Sequence, residues 1–231
     1  MDAYILAGGE GTRLRSRLSK GEPKAMAMVA GRPFIEYPLD LLCESRRASR
    51  IILCVRYGWE EIYRHVGGAY RGVPVLYHVE PRPCGTGGAL ASAFRASPKH
   101  SLCLALNGDC LWKADIGKYV DAFVDSGADV GMALAQVPDA SRFGTVRLDE
   151  KNGRVLRFVE KTPGAGTINV GAYILPQDVF ERYGSHLPES FSLEKKIFEP
   201  MPFSIFPYVI TGRFVDIGVP DDYDAAQRFD T

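Results

Sequence analysis

Three polar or glycine-rich turns in this chain each follow a short apolar run. The first is Leu6-Ala7-Gly8-Gly9-Glu10-Gly11-Thr12-Arg13, after Asp2 to Leu6, with Lys24 eleven positions beyond Arg13. A strand feeding a glycine-rich turn leaves backbone N–H groups uncovered at a sheet edge, where a phosphate chain is held. Arg13 and Lys24 add two cations for the same anion. The second turn is Pro81-Arg82-Pro83-Cys84-Gly85-Thr86-Gly87-Gly88, directly after Val75 to Val79 and Glu80. The third is Asn107-Gly108-Asp109, after Ser101 to Leu106.

The elements around these turns must bring them together. Strands are predicted at 2–6, 51–55, 75–79 and 101–106, and helices at 33–46, 59–66, 89–95 and 116–126. Alternating strands and helices mean βαβ units, a largely parallel sheet, and ligands at the C-terminal strand ends. All three turns then share one rim. After residue 126 the pattern changes: strands are expected at 129–136, 144–148, 154–159, 169–175, 205–209 and 213–215, with helices at 193–199 and from Pro220. The last two long runs before Asn169 are joined through Asn152-Gly153, a hairpin signal. The expected fold class is therefore α/β and Rossmann-like, a mixed, mostly parallel sheet flanked by helices with a small antiparallel extension. One domain over 231 residues is expected, with residues 1–110 as the nucleotide half and 111–231 as the half for a second substrate.

Bulk composition narrows the classes. Net charge is zero, so no nucleic-acid footprint exists at whole-chain level. Five cysteines, an odd number without a CxxC pair, read as reduced thiols in a cytoplasmic protein. No apolar run nears the roughly 20 residues that span a bilayer, and the chain enters a strand with no signal-peptide pattern. No membrane partner is expected. Oligomeric state is left open, a homo-oligomer included.

The first turn excludes two familiar loops. GxxxxGK[ST] is absent. Gly9-x-Gly11 is followed by Leu14 where a dinucleotide fingerprint needs its third glycine, and Arg56 follows Val55 where that motif needs a ribose-binding acid. The string from Leu6 to Leu14, followed by Pro23-Lys24, instead resembles the signature of the sugar-1-phosphate nucleotidylyltransferases, the nucleotide-sugar pyrophosphorylases. The resemblance runs through Gly85-Thr86-Gly87-Gly88, Asn107-Gly108-Asp109, Glu160-Lys161, Asn169-Val170-Gly171 and Phe214-Val215-Asp216-Ile217-Gly218. Within the family, Ser141 to Val146 and Phe191 to Lys195 look most like the D-glycero-D-manno-heptose 1-phosphate guanylyltransferases. The Arg13–Pro23 gap is one residue longer than the usual pattern, Ala25 follows Pro-Lys, and Cys84 and Cys110 replace the common residues.

The resemblance implies a glycosyltransferase-A-like fold and attack by a sugar-1-phosphate oxygen on the α-phosphorus of a nucleoside triphosphate. GTP is the favoured donor, GDP-heptose for surface polysaccharide or S-layer glycan the product. Another hexose-1-phosphate nucleotidylyltransferase and a non-catalytic nucleotide-sugar-binding regulator are the alternatives. Arg13, Lys24 and Asp109 take the catalytic roles. Leu6, Ala7, Gly8, Gly9, Gly11, Thr12, Glu80, Gly85, Thr86 and Gly88 join Arg13 and Lys24 around the nucleotide. Asn107, Gly144, Glu160, Lys161 and Asn169 face the sugar phosphate. Asp109 and Asp216 hold Mg²⁺, which takes few carboxylates and completes its shell with phosphates and water. Glu80 sits where the family reads the base. Guanine presents two adjacent donors there, and a carboxylate accepts both. Glu194-Lys195 either reach the sugar pocket or supply charge to a helix start.

Overall fold

The computed structural model describes the chain except residues 99–100, 161–162, 185 and 229–231; of Glu160 only the backbone is described. In chain order the elements are β1 (Asp2–Leu6), β2 (Met28–Val29), β3 (Arg32–Pro33), α1 (Glu36–Ser45), β4 (Arg50–Val55), α2 (Trp59–Val66), β5 (Ala69–Tyr70) and β6 (Val73–Val79). There follow α3 (Gly85–Ala96), β7 (Leu102–Asn107), β8 (Cys110–Trp112), α4 (Ile116–Ser126), β9 (Val130–Val137), β10 (Gly144–Leu148) and β11 (Val155–Glu160). The chain continues through β12 (Gly166–Pro176), α5 (Val179–Tyr183), β13 (Ile205–Val209), β14 (Phe214–Asp216) and α6 (Pro220–Ala226).

Strands β7, β1, β4 and β6 lie side by side and parallel. Both faces are covered. Ala3 and Ile5 of β1 pack with Leu39 and Leu42 of α1 and with Tyr119 and Phe123 of α4. Tyr4, between them, packs on the other face with Leu90 and Phe94 of α3. This two-sided burial explains the continuous apolar run of β1, whose Ala3, Tyr4 and Ile5 are fully buried.

The antiparallel strands extend the parallel sheet directly. β12 pairs antiparallel with β7, Ala172 opposite Leu106 and Leu175 opposite Cys103, and carries β10, β11 and β9 with it. β13 joins parallel to β9. One ten-stranded mixed sheet results.

Some boundaries differ from the sequence reading. The helix expected from Pro33 begins at Glu36, because Arg32–Pro33 pairs with Met28–Val29 in a hairpin. Its first-turn proline is Pro38, at a position that needs no N–H donor. The second glycine run opens α3 instead of preceding it, with Gly87 and Gly88 donating to the carbonyl of Phe191 at 3.0 and 3.3 Å. The helix expected at 193–199 is a π-helical turn, Glu194–Phe198.

A third core cluster, Leu14, Val29, Phe34, Tyr37, Leu111, Ile217 and Ala226, joins the first turn to the last elements. Above it α6 is tied to early residues. Arg17 makes a bidentate contact with Asp224, at 2.9 and 2.6 Å. Tyr223 Oη and Gln227 Nε2 both donate to the carbonyl of Met28. Asp222 pairs with Arg142 at the β9–β10 connection.

Candidate active site

A cavity of about 520 Å³ opens at the C-terminal ends of the parallel strands. Its wall contains Leu6, Ala7, Gly8, Gly9 and Thr12 from the turn after β1, Glu80 after β6, Gly85 and Thr86 at the start of α3, and Asn107 and Asp109 after β7. The three turns singled out in the sequence therefore meet at one place.

The lysine comes from a second feature of the first turn. Gly11 has φ 64°, a left-handed conformation, and a side chain on it would stand 3.0 Å from Lys24 Cβ. This close approach sets Lys24 against the turn, and Pro23 precedes it in extended conformation. Lys24 Nζ then meets Asp109 Oδ2 at 2.7 Å, with Lys24 12% and Asp109 36% exposed. Burial works against ionised Asp109, but the Lys24 ammonium, the Cys110 thiol and the Arg13 guanidinium outweigh it and hold the carboxyl below its usual range.

Asp216 reaches the same place through strand pairing. β14 runs antiparallel to β8 with Asp216 opposite Cys110, and Ile217 N–H donates to the Asp109 carbonyl at 3.0 Å. Burial and the neighbouring Asp109 push the Asp216 carboxyl up to about 6, against the pull of Lys24. Asp216 accepts the N–H of Gly218. Arg13 is exposed, and its guanidinium lies beside Gly218, next to Asp216. Among the described residues no group of three or more His, Cys, Asp or Glu converges as metal ligands. The Asp109–Asp216 pair fits a divalent cation that takes its remaining ligands from phosphate oxygens and water.

Glu80 is 7% exposed yet lines the cavity. Burial raises its pKa, partly offset by the Cys84 N–H and by Arg56. Gly8 makes the position possible: a Cβ there would stand 2.7 Å from Glu80 Oε1. The wall also contains residues that the sequence reading does not assign to the site, among them Glu10 and Arg56, which form an ion pair at 2.7 Å. Their signal was available, because Arg56 follows β4 at the same rim.

Other expected residues lie elsewhere. Gly11, Arg13 and Gly88 are not in the wall; Gly88 backs onto the Glu189 carbonyl. Thr86 lines the cavity, but its hydroxyl is engaged, donating to Glu194 Oε2 at 2.9 Å and accepting from Leu193 N–H at 2.9 Å. Gly144 and Asn169 stand apart from the cavity on β10 and β12. Gly144 pairs with Glu160; Lys161 lies outside the described residues. Asn107 joins the two regions. It lines the cavity and touches Gly171 on β12, and its buried Oδ1 has no hydrogen-bond partner among the described residues.

A cavity of about 520 Å³ with a lysine–aspartate pair, at the C-terminal strand ends of a mixed α/β sheet, lies where open α/β folds bind their ligands. The chain belongs to the nucleotidyl transferase family, whose model matches residues 2–231. It is 36% identical over 99% of its length to a D-glycero-alpha-D-manno-heptose 1-phosphate guanylyltransferase of Aneurinibacillus thermoaerophilus, covering 97% of that protein. It is 34% identical over 96% of its length to the enzyme of the same name from Campylobacter jejuni, again covering 97%. Its structure is similar to that of HddC from Yersinia pseudotuberculosis complexed with GMP-PN, with a TM-score of 0.82 at 32% identity, covering 98% of this chain and 97% of the other. No helix among the described residues is long and apolar enough to cross a membrane.

Proposed function

We propose that this chain transfers GMP from GTP to D-glycero-alpha-D-manno-heptose 1-phosphate, forming GDP-heptose and pyrophosphate. The observation that carries the guanine assignment is the Glu80 carboxylate, buried in the wall of the phosphate cavity. The full-length likeness to two heptose 1-phosphate guanylyltransferases supports the sugar.

In this reaction a sugar-phosphate oxygen attacks the α-phosphorus, and the bond to the β-phosphate oxygen breaks. Two anions approach each other and charge grows on the leaving pyrophosphate, so positioning and cationic stabilisation are the main tasks. Backbone N–H groups of the first turn face the triphosphate. Lys24, held by Asp109, neutralises the α-phosphate, and Arg13 grips the leaving pyrophosphate with its fork geometry. Asp109 and Asp216 would hold Mg²⁺, which supplies Lewis-acid polarisation and a template for the phosphates. On the acceptor side, Asn107 Oδ1, unpartnered among the described residues, accepts a hydrogen bond from a sugar hydroxyl, Asn169 offers an amide, and Gly144, Glu160 and Lys161 are assigned to the same substrate from the sequence.

Pyrophosphate release measured with four NTPs crossed against heptose, mannose and glucose 1-phosphates tests the reading. GTP with heptose 1-phosphate is expected to give the highest kcat/KM. No release from any pair in the presence of Mg²⁺ would overturn it.

A further inference from the structure

Glu194 accepts from three hydroxyl groups. Oε2 accepts from Thr86 Oγ1 at 2.9 Å and Ser192 Oγ at 2.7 Å, and Oε1 accepts from Tyr173 Oη at 3.2 Å. Tyr173 Oη in turn accepts from Asn169 Nδ2 at 2.6 Å. A continuous chain of hydrogen bonds thus runs from the nucleotide cavity wall at Thr86, through one carboxylate and one phenol, to Asn169 on the acceptor side.

The strand has been deformed to make this chain. Four residues along a regular strand span about 13 Å, so Asn169 and Tyr173 would not touch. Here the four steps from Asn169 to Tyr173 oppose only the two from Leu134 to Met132 on β9, a bulge. Gly171 sits inside it at φ 75°, and a side chain there would collide with Asn107. The bulge also turns the Gly171 N–H onto Asn169 Oδ1, at 2.9 Å. Asn169 is therefore held at both ends of its amide, and only its second N–H and second lone pair remain for a ligand. Tyr173 is fully buried and stacked on Phe198, centroids 4.9 Å apart, so the relay is fixed in place by the core.

We propose that Glu194 is a positioning residue that orients Asn169 for the sugar 1-phosphate, through Tyr173, while anchoring Thr86 in the nucleotide wall. The inference rests on the acceptor-side reading of Asn169 given above. The role needs an oxygen acceptor and correct shape, not a negative charge. Glutamine meets it, because the Thr86 and Ser192 hydroxyls can each reverse and accept from its amide while its carbonyl keeps Tyr173.

Steady-state kinetics with GTP and sugar 1-phosphate on four variants test this. Tyr173→Phe should raise the sugar KM about tenfold, the size of one lost hydrogen bond, with the GTP KM within twofold. Thr86→Val should do the reverse. Glu194→Ala should raise both KM values, whereas Glu194→Gln should stay within about threefold of wild type. Glu194→Gln as damaging as Glu194→Ala would mean the charge itself acts, and would overturn the positioning role. So would Tyr173→Phe with an unchanged sugar KM. A wild-type chain that releases no pyrophosphate fails the parent reading instead, and that outcome is visible before any variant is made.

Discussion

Replacing Glu80 by Gln should make the protein more stable and a worse guanylyltransferase. The carboxylate is 7% exposed, and burial raises its pKa above the ordinary 4.5, with the Cys84 N–H and Arg56 opposing. A folded-state pKa above the unfolded one means the ionised form is disfavoured on folding. The associated stability is fully present below about the unfolded value and is lost as pH rises through the folded one. Glutamine, neutral and of the same shape, removes this loss, so its melting temperature should exceed that of wild type at pH 7. The gain should shrink as pH falls through the raised folded-state value and vanish below about 4.5. Function moves the other way. Gln offers one acceptor and sets an NH₂ donor against the second guanine donor. One charge-assisted hydrogen bond of about 1.5–3 kcal/mol is lost, which at about 1.4 kcal/mol per decade lowers kcat/KM for GTP roughly 10- to 150-fold. UTP, whose single ring N–H lies between two carbonyls, should lose little or gain. Wild-type GTP preference should itself decline as acid protonates Glu80. Calorimetry across pH with a four-nucleotide kinetic panel provides the measurement. GTP preference kept within twofold in the variant would refute the base-reading role. A lower melting temperature at pH 7 would refute the burial argument.

Three further outcomes follow from distances at the site. Asp109→Asn loses the charge that holds Lys24 at 2.7 Å and should cut kcat by about a hundredfold or more while GTP binding changes little; single-turnover rates and nucleotide titration separate the two, and surviving turnover would disprove the assignment. Gly8→Ala places a Cβ 2.7 Å from Glu80 Oε1 and should displace the carboxylate, raising the GTP KM by about tenfold; a GTP KM equal to wild type would show that the contact is absent. Gly171→Ala combines φ 75° with a Cβ 2.3 Å from Asn107 Nδ2 and should lower unfolding stability by at least about 1–3 kcal/mol, read from urea midpoints; an unchanged midpoint would mean the bulge relaxes freely.

The rim was legible because its parts are local. A strand ending in glycine or a polar turn needs only a few residues to be recognised, and parallel topology then gathers the ends of β1, β6 and β7. What was not legible depended on distant pairing. The Met28–Val29 and Arg32–Pro33 hairpin is the local exception: it closes through Ala30-Gly31, both at positive φ, and Ala30 is not a residue type that announces such a turn. Glycines that read as a loop ahead of α3 become its first turn because Phe191, a hundred positions on, supplies the acceptor. Thr86 reads as a nucleotide ligand, yet its hydroxyl is bound to Glu194 and Leu193. The Asn169–Tyr173 contact is hidden for a different reason: a regular strand forbids it, and only the bulge permits it. Arg56 stands where a dinucleotide motif needs an acid, and its place just after β4 puts it in the cavity wall beside Glu10.

The ties made by α6 bear on the order of assembly. Asp224 lies 207 positions from Arg17, and Tyr223 and Gln227 bind Met28 across nearly the whole chain. Loop-closure entropy must be met before such contacts form. During synthesis the parallel core can collect around β1 and β4 early, while Leu14 and Val29 stay without the Ile217 and Ala226 that later cover them. The segment carrying Arg13 and Lys24 is thus covered only after α6 has been made. The two larger core clusters contain no residue of α6, whereas the cluster beneath the first turn is closed by Ala226.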